Sequence, residues 1–424
     1  MVTASSTPTP SPQKAFGALR LPGYRAYLVT FMLTMMADNI EHVISYWVAF
    51  QKFNSPLLGG FAVVSHWVPY LFLSVAVGAL NDRFDSRRLI QAGAALFMLV
   101  SAGWGYFFLT DSLQMWHAMV LLVAHGCAGV LWMTSSQMLL YDIVGPAALP
   151  GAVRLSATAR YLGMLVGPGV GSLILLTLGP TRGIFFNVLF YLPLVLWLLK
   201  APFGRHFRGD PAGPKRAVRG LADIVQTIRE VRELPLLGTL MLLAGGASFF
   251  VGNSYQAQMP GFAQDLGHGD PGTAYGVLLA ADAAGALVAG VLLETRGQLL
   301  RMNARTAAVL AMAWAASLGA FALMRWYPLA IVCLFVAGFF ELAFSSMTLA
   351  LVQLHAPAAS RGRVLGLYGM AWAGLRAFSG ITVGFVGGAL TIHTSLALAT
   401  TAVLVLTVLL WMRLRREPAV SGVA

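Results

Sequence analysis

The chain has 424 residues, 58% of them apolar and only 10% charged, with 28 Lys+Arg against 16 Asp+Glu. A soluble protein carries about a quarter charged residues, so an ordinary water-soluble enzyme is excluded, and so is disorder in a chain this apolar. A mean hydropathy of +0.74 marks an all-α polytopic membrane protein, and at about 20 residues per span the length accommodates twelve.

Residues 1–25 read as a cytoplasmic tail, rich in Ser, Thr and Pro up to Lys14 and without the basic-then-apolar layout of a signal peptide. The first apolar run, 26–50, carries Asp38, Glu41 and His42 near mid-depth. Their i, i+3, i+4 spacing puts all three on one helix face. The second run, 57–80, holds His66 beside Trp67 and Pro69, and His66 reads as a packed polar residue. Runs 88–109 and 115–140 follow, the latter with His125 near its middle and then Trp132, Thr134, Ser135, Ser136 and Gln137. Run 153–178 contains Arg160 and the series Gly163, Gly167-Pro168, Gly171-Ser172. Glycines four apart let helices approach closely, and the proline bends the helix. Run 183–200 completes six.

The longest loop, 201–234, is basic at first and ends in Leu221, Ile224, Val225, Ile228, Val231 and Leu234 at helical spacing. It is expected to form a linker helix lying on the membrane surface. Six more runs follow at 235–258, 273–294, 305–324, 328–352, 363–390 and 394–412, with a tail from 413. Asn253, Tyr255, Gln256 and Gln258 lie in the first of these, Asp282 in the next, and Glu341 and Arg376 near mid-depth in the fourth and fifth. The domains are thus a first bundle over 26–200 and a second over 235–412.

With the N-terminus inside, 23 of the 28 cations fall on the cytoplasmic side and three outside, while Arg160 and Arg376 lie within spans. This positive-inside asymmetry accounts for the net charge of +12 without nucleic acid, and it places both termini in the cytoplasm. The halves also echo each other. Gly78-Ala-Leu-Asn-Asp82 returns as Gly290-Val-Leu-Leu-Glu294, and Pro146-Ala-Ala…Gly151-Ala-Val returns as Pro357-Ala-Ala…Gly362-Arg-Val. Two matches at nearly one offset, in corresponding loops, indicate a duplicated six-helix unit.

The loop Gly78-Ala-Leu80-Asn-Asp82-Arg83-Phe-Asp85-Ser-Arg87-Arg88 resembles the signature G-x-L-a-D-r-x-G-r-r of the major facilitator superfamily. That resemblance implies two pseudo-symmetric six-helix bundles around a central cavity lined by spans 1, 4, 7 and 10. It further implies a conformational latch of Gly78, Asp82, Arg83, Arg87 and Asp142. In it Asp82 meets the start of span 11, where a helix N-terminus favours an anion, and Arg83 reaches Asp142. Asp85 stands where the family has Gly. Gly163, Gly167, Pro168 and Gly171 resemble the span 5 motif of drug/proton antiporters, and Ser172 replaces its last glycine. Gln353…Pro357…Arg361-Gly362-Arg363 and Tyr275-Gly276-x-Leu278 resemble the branch with enterobactin exporters and macrolide efflux proteins. His125 and Ala128 stand where many drug/proton antiporters have Arg and Gln.

A charge near the bilayer centre costs about 2.5–3.5 kcal/mol on insertion scales and calls for a reason. The expected proton-coupling and substrate residues are Asp38, Glu41, His42, His125, Glu341 and Arg376. Trp132, Ser136, Gln137, Asn253 and Gln256 are candidate polar groups of the cavity. Structural pairings, Glu341 with Arg376 or Asp38 with Arg160, are the competing explanation. Cys127 and Cys333 lie in apolar runs, and HExxH, Walker and CxxC patterns are absent. The expectation is therefore no enzyme, no metal and no cofactor beyond a proton gradient. The chain is read as a monomeric antiporter in a bacterial-type inner membrane, with protons, membrane lipid and a small amphipathic siderophore or drug-like substrate as partners. A lipid flippase of the same superfamily, and more remotely a non-transporting receptor or intramembrane enzyme, are the alternatives.

Overall fold

The computed structural model describes residues 15–53, 55–204, 218, 220–267, 271–296, 300–379 and 386–416. The tail through Lys14, the linker cations Arg205, Arg208, Lys215, Arg216 and Arg219, and the last eight positions lie outside the described residues.

Helices α1 (Tyr24–Phe53), α2 (Pro56–Arg83) and α3 (Ser86–Leu109) open the first half. The helical stretch Met115–Lys200 is divided at Gly145 and Gly179, whose φ values are +67° and +74°. Each is followed by a proline. Glycine tolerates positive φ, and proline suits a first helical turn, where its missing N–H is not needed. The chain therefore turns at each Gly-Pro, giving α4 (115–144), α5 (146–178) and α6 (180–200). A linker helix, α7 (Leu221–Arg232), leads to α8 (Pro235–Phe250), α9 (Pro271–Thr295), α10 (Ala304–Leu323), α11 (Tyr327–His355), α12 (Arg361–Gly369) and α13 (Ile392–Arg416).

Among the described residues, twelve helical spans fall in two sets of six. Leu99, Leu173, Leu176, Leu196, Val332 and Leu409 stand fully outward, the apolar exterior that a bilayer requires. Two spans are not the single helices their apolar runs suggest. The span begun by α8 breaks at Gly252 (φ +51°) and resumes as Ser254–Ala257 and Met259–Asp265. The span begun by α12 passes through a π turn, Met370–Gly374, before Arg376–Ser379.

α7 departs from the expected position on the membrane surface. Val231 belongs to the core of the second half, with Ile224 and Ile228 packed against it. The buried Asp223 carboxylate lies 3.4 Å from Arg363 Nε of α12. The helix therefore docks on the bundle, at the end here called the linker face.

On that face the two halves are drawn together twice. The Asp82 carboxylate at the end of α2 accepts N–H bonds from Gly362 (2.6 Å) and Arg363 (3.2 Å), the first turn of α12. Gly362 also lies directly against the Gly78 carbonyl oxygen, with no room between for a Cβ. At the offset positions, Glu294 at the end of α9 meets the second and third turns of α5. Its Oε2 accepts from Arg154 Nη2 at 2.9 Å, and a Cβ on Gly151 would stand 2.9 Å from its Oε1. An acid at a helix N-terminus, as Asp82 is to α12, contributes about 0.3–1 kcal/mol, and up to about 2 kcal/mol when partly buried. The repeated sequence thus becomes a repeated closure.

Candidate functional site

Between the halves lies a cavity of about 460 Å³. Aromatic side chains dominate its wall, among them Tyr27, Phe31, Trp67, Tyr70, Trp132 and Trp372. Its ionisable side chains are Asp38, His42, His66, Arg160 and Arg376, and Asn39, Gln137, Asn253 and Gln256 add amides. A mostly apolar pocket with a few placed polar groups is the usual form of a small-molecule site.

Asp38 reaches that wall because of what lies behind α1. Gly163, Gly167 and Gly171 of α5 face α1 so closely that added Cβ atoms would stand 3.0 Å from Met35 Cβ, 2.7 Å from Asn39 Cβ and 3.1 Å from Ile40 Cα. The glycine series therefore seats the acidic turn of α1 directly on α5, with Pro168 and Ser172 turned outward.

The Asp38 Oδ1 atom is 2.8 Å from His125 Nε2, and His125 Nδ1 is 2.8 Å from Glu41 Oε1. Both ring nitrogens of His125 thus face carboxylates, a geometry in which an imidazolium donates twice. Glu41 also accepts from Ser101, whose hydroxyl receives Asn187 at 3.4 Å. His42 Nδ1 is 3.9 Å from Asp38 Oδ2. One nitrogen from each of His42, His66 and His125 lies within 4.8 Å of the others. Among the described residues this trio comes nearest to metal-site spacing. His42 Nε2 and His66 Nδ1 are buried without hydrogen-bond partners there.

Several expected positions differ. Glu41 and His125 are off the cavity wall, at 1% and 3% exposure, forming the layer behind Asp38. Ser136 is also buried, its carbonyl accepting the Tyr27 hydroxyl. Trp132, Gln137, Asn253 and Gln256 do line the cavity. Glu341 is buried and not part of the wall, within electrostatic reach of Asp282 and Arg376. Asp282 in turn accepts Tyr255 at 3.0 Å and Gln256 at 3.3 Å. Neither suggested ion pair forms among the described residues. Asp38 is engaged by histidines, and the Arg376 guanidinium lies 5.1 Å from the ring centres of both Trp67 and Trp372. His66, read as a packing residue, instead joins the histidine cluster on the wall. Its i, i+1, i+3 company of Trp67 and Pro69 gave no hint, because the partners His42 and His125 belong to other helices.

The expected latch residues occupy several places. Asp82 and Gly78 join the halves. Arg87 ties α3 to the end of α6 within the first half, its Nη2 2.7 Å from Asp85 Oδ2 and its Nη1 donating to the Ala201 carbonyl at 2.7 Å. Asp85, in place of the family's glycine, caps α3 through the Arg87 N–H at 2.9 Å. Arg83 is exposed at the end of α2 over Phe84, and Asp142 is half-buried near the end of α4.

A family model described as transmembrane secretion effector matches residues 13–421. Among curated proteins, the chain is similar to the MFS-type transporter YfiS of Bacillus subtilis, 23% identical over 234 residues, which cover 50% of this chain and 52% of that one. It is 24% identical over 233 residues to the multidrug efflux pump Tap of Mycobacterium tuberculosis H37Rv, covering 51% and 54%. Over 348 residues it is 25% identical to the Tap pump of Mycolicibacterium fortuitum, covering 80% and 82%. The chain thus spans about half the length of the first two relatives. Two solved structures share its fold at 14% identity and TM-score 0.72. They are the human organic anion transporter MFSD10, covering 92% of this chain and all of its own, and the Escherichia coli fucose:proton symporter FucP, covering 93% and 98%.

Proposed function

This chain belongs to the transmembrane secretion effector family of the major facilitator superfamily, and from that premise we propose that it exports a small amphipathic compound in exchange for protons by alternating access. The observation that carries the reading is the Asp38–His125 contact at a cavity whose linker-face end is held shut by Asp82 and Glu294. A carboxylate at that depth can take up a proton when the cavity opens on one side and release it on the other. Protonating Asp38 removes the charge that holds His125 and His42. The layer behind it, Glu41 with Ser101, keeps His125 in place through the exchange.

Opening toward the linker face requires the first turn of α12 to leave Asp82 and Arg154 of α5 to leave Glu294. Closures at equivalent places suit a rocking motion of two similar bundles. The asymmetry of cations supports a linker face in the cytoplasm of a bacterial-type inner membrane, and the relatives that carry drugs support export. A drug-like molecule fits the aromatic wall as the substrate, and a siderophore is the neighbouring choice. The chain is proposed to act as a monomer.

The test is efflux of fluorescent amphipaths from proteoliposomes with and without an imposed pH gradient. Efflux that follows the gradient, collapses with a protonophore and is lost in Asp38→Asn supports the proposal. Flux indifferent to the gradient refutes coupling. Translocation of labelled lysophospholipid in place of soluble dyes would make the protein a flippase.

A further inference from the structure

We infer that the cargo carries an anionic group, and that Arg376 with Arg160 receives it. This inference rests on the reading of the cavity as the substrate site, though not on proton coupling or on the direction of transport.

Two guanidinium groups line the cavity wall, Arg160 from α5 of the first half and Arg376 beyond the π turn of the second. Among the described residues neither makes an ion pair. Arg160 lies 5.4 Å from the centre of its neighbouring Tyr161 ring. Arg376 stands between Trp67 of the first half and Trp372 of the second. Its Nε is buried and has no hydrogen-bond partner among the described residues. The single acid on the same wall, Asp38, is already taken by His125 and His42. Glu341 interacts with Arg376 electrostatically from off the wall, and one carboxylate at a distance does not satisfy two guanidinium groups.

A cation at membrane depth without a counterion is costly, and a buried charge retains its cost until a partner arrives. A guanidinium offers five donors in a planar fork that fits a carboxylate, sulfonate or phosphate in bidentate fashion. Here the two tryptophans bracket that fork, so a planar apolar body beside the acidic group would stack on them while the acid meets the arginine. The π turn brings this about. It interrupts the regular helix between Gly369 and Arg376, and such turns re-aim the side chains that follow. Because Trp67 and Trp372 come from different halves, the same ligand would contact both bundles. That is what a cargo must do to bias their relative position.

The electrical consequence is separable from chemistry. An exported anion moves with an interior-negative potential, so exchange for a proton shifts two charges inward per cycle.

The experiment uses the purified full chain in nanodiscs, with no gradient. Binding of fluorescein, an anionic xanthene, and of a cationic rhodamine methyl ester with the same ring body is measured by quenching of tryptophan fluorescence and by thermal shift. The inference predicts at least tenfold tighter binding of the anion by the wild type, loss of that preference in Arg376→Gln, partial retention in Arg376→Lys and a smaller loss in Arg160→Gln. In the unliganded state Arg376→Gln should melt no lower than the wild type, because it removes an unpaired charge. Equal binding of both dyes, preference for the cation, or an unchanged preference in Arg376→Gln overturns it. If Arg376→Gln does not fold, Arg160→Gln and the wild-type anion-specific thermal shift decide. Failure of proton coupling in the efflux assay would leave this binding result standing, and the reverse holds as well.

Discussion

Gly362 donates its backbone N–H to the Asp82 carboxylate at 2.6 Å while pressed against the backbone of Gly78. This contact joins the end of α2 to the start of α12, and its counterpart 212 residues on joins Glu294 to Arg154 of α5. Gly362→Ala places a Cβ where the Gly78 carbonyl stands, so the linker face cannot close fully. We expect spin labels on the linker-face ends of α2 and α12 to move apart in that variant. Asp82→Asn should open the same gate more mildly, since about 1 kcal/mol of charge–dipole stabilisation is roughly a fivefold change in population. Unchanged distance distributions in both would show that the contact does not hold the gate.

Asp38 and Glu41 should separate experimentally, although they are one helical turn apart. Asp38 lines the cavity and Glu41 is enclosed by His125 and Ser101. Asp38→Asn is expected to abolish gradient-driven efflux with a smaller fall in melting temperature than the Glu41 change. Glu41→Gln leaves buried groups imperfectly paired at a cost of about 1–3 kcal/mol, so it should lower the melting temperature clearly. Equal thermal losses in the two variants would contradict the assignment of wall and backing layer.

Docking of α7 depends on the buried Asp223–Arg363 pair as well as on Val231. Removing one member of a buried pair typically costs about 3–5 kcal/mol. Asp223→Asn should therefore raise hydrogen exchange across 221–232 by at least tenfold, with exchange in α10 unaffected. Protection that persists would assign the docking to Ile224, Ile228 and Val231 alone.

On the opposite face, Lys52 Nζ lies 2.6 Å from Asp111 Oδ1, and this hydrogen bond holds the Asp111 carboxyl below its ordinary range. A depressed carboxyl contributes above its unfolded value and loses that contribution as pH falls through its folded one. The pair is therefore intact throughout the range from about 5.5 to 8 in which histidine titrates. Lys52→Met should therefore leave the pH profile of efflux in that range unchanged. A profile altered by Lys52→Met would move the pH sensitivity outside the cavity.

Hydropathy made the span count legible, since the length of an apolar run follows from the bilayer. The offset marked Asp82 and Glu294 as equivalent positions, but the partner of the second, Arg154, emerged only in the fold. Side-chain direction was less accessible. Asp38 and Glu41 share a helix face, yet the close α1–α5 packing at Gly167 turns one to the cavity and the other to α3 and α4. Arg376 lines the cavity as expected, but its setting between Trp67 and Trp372 could not be read by helical counting, since the π turn shifts its register. His66 gained its meaning only from helices distant in sequence, and α7 was read as surface-bound because Asp223 has no visible partner until Arg363 folds beside it.

The most direct test loads proteoliposomes with a pH-sensitive dye and imposes a gradient of the cargo dye alone. Wild-type protein should drive protons against the direction of cargo movement, and Asp38→Asn should bind cargo yet move none. Cargo flux without proton movement in the wild type, or undiminished proton movement in Asp38→Asn, would contradict the central claim.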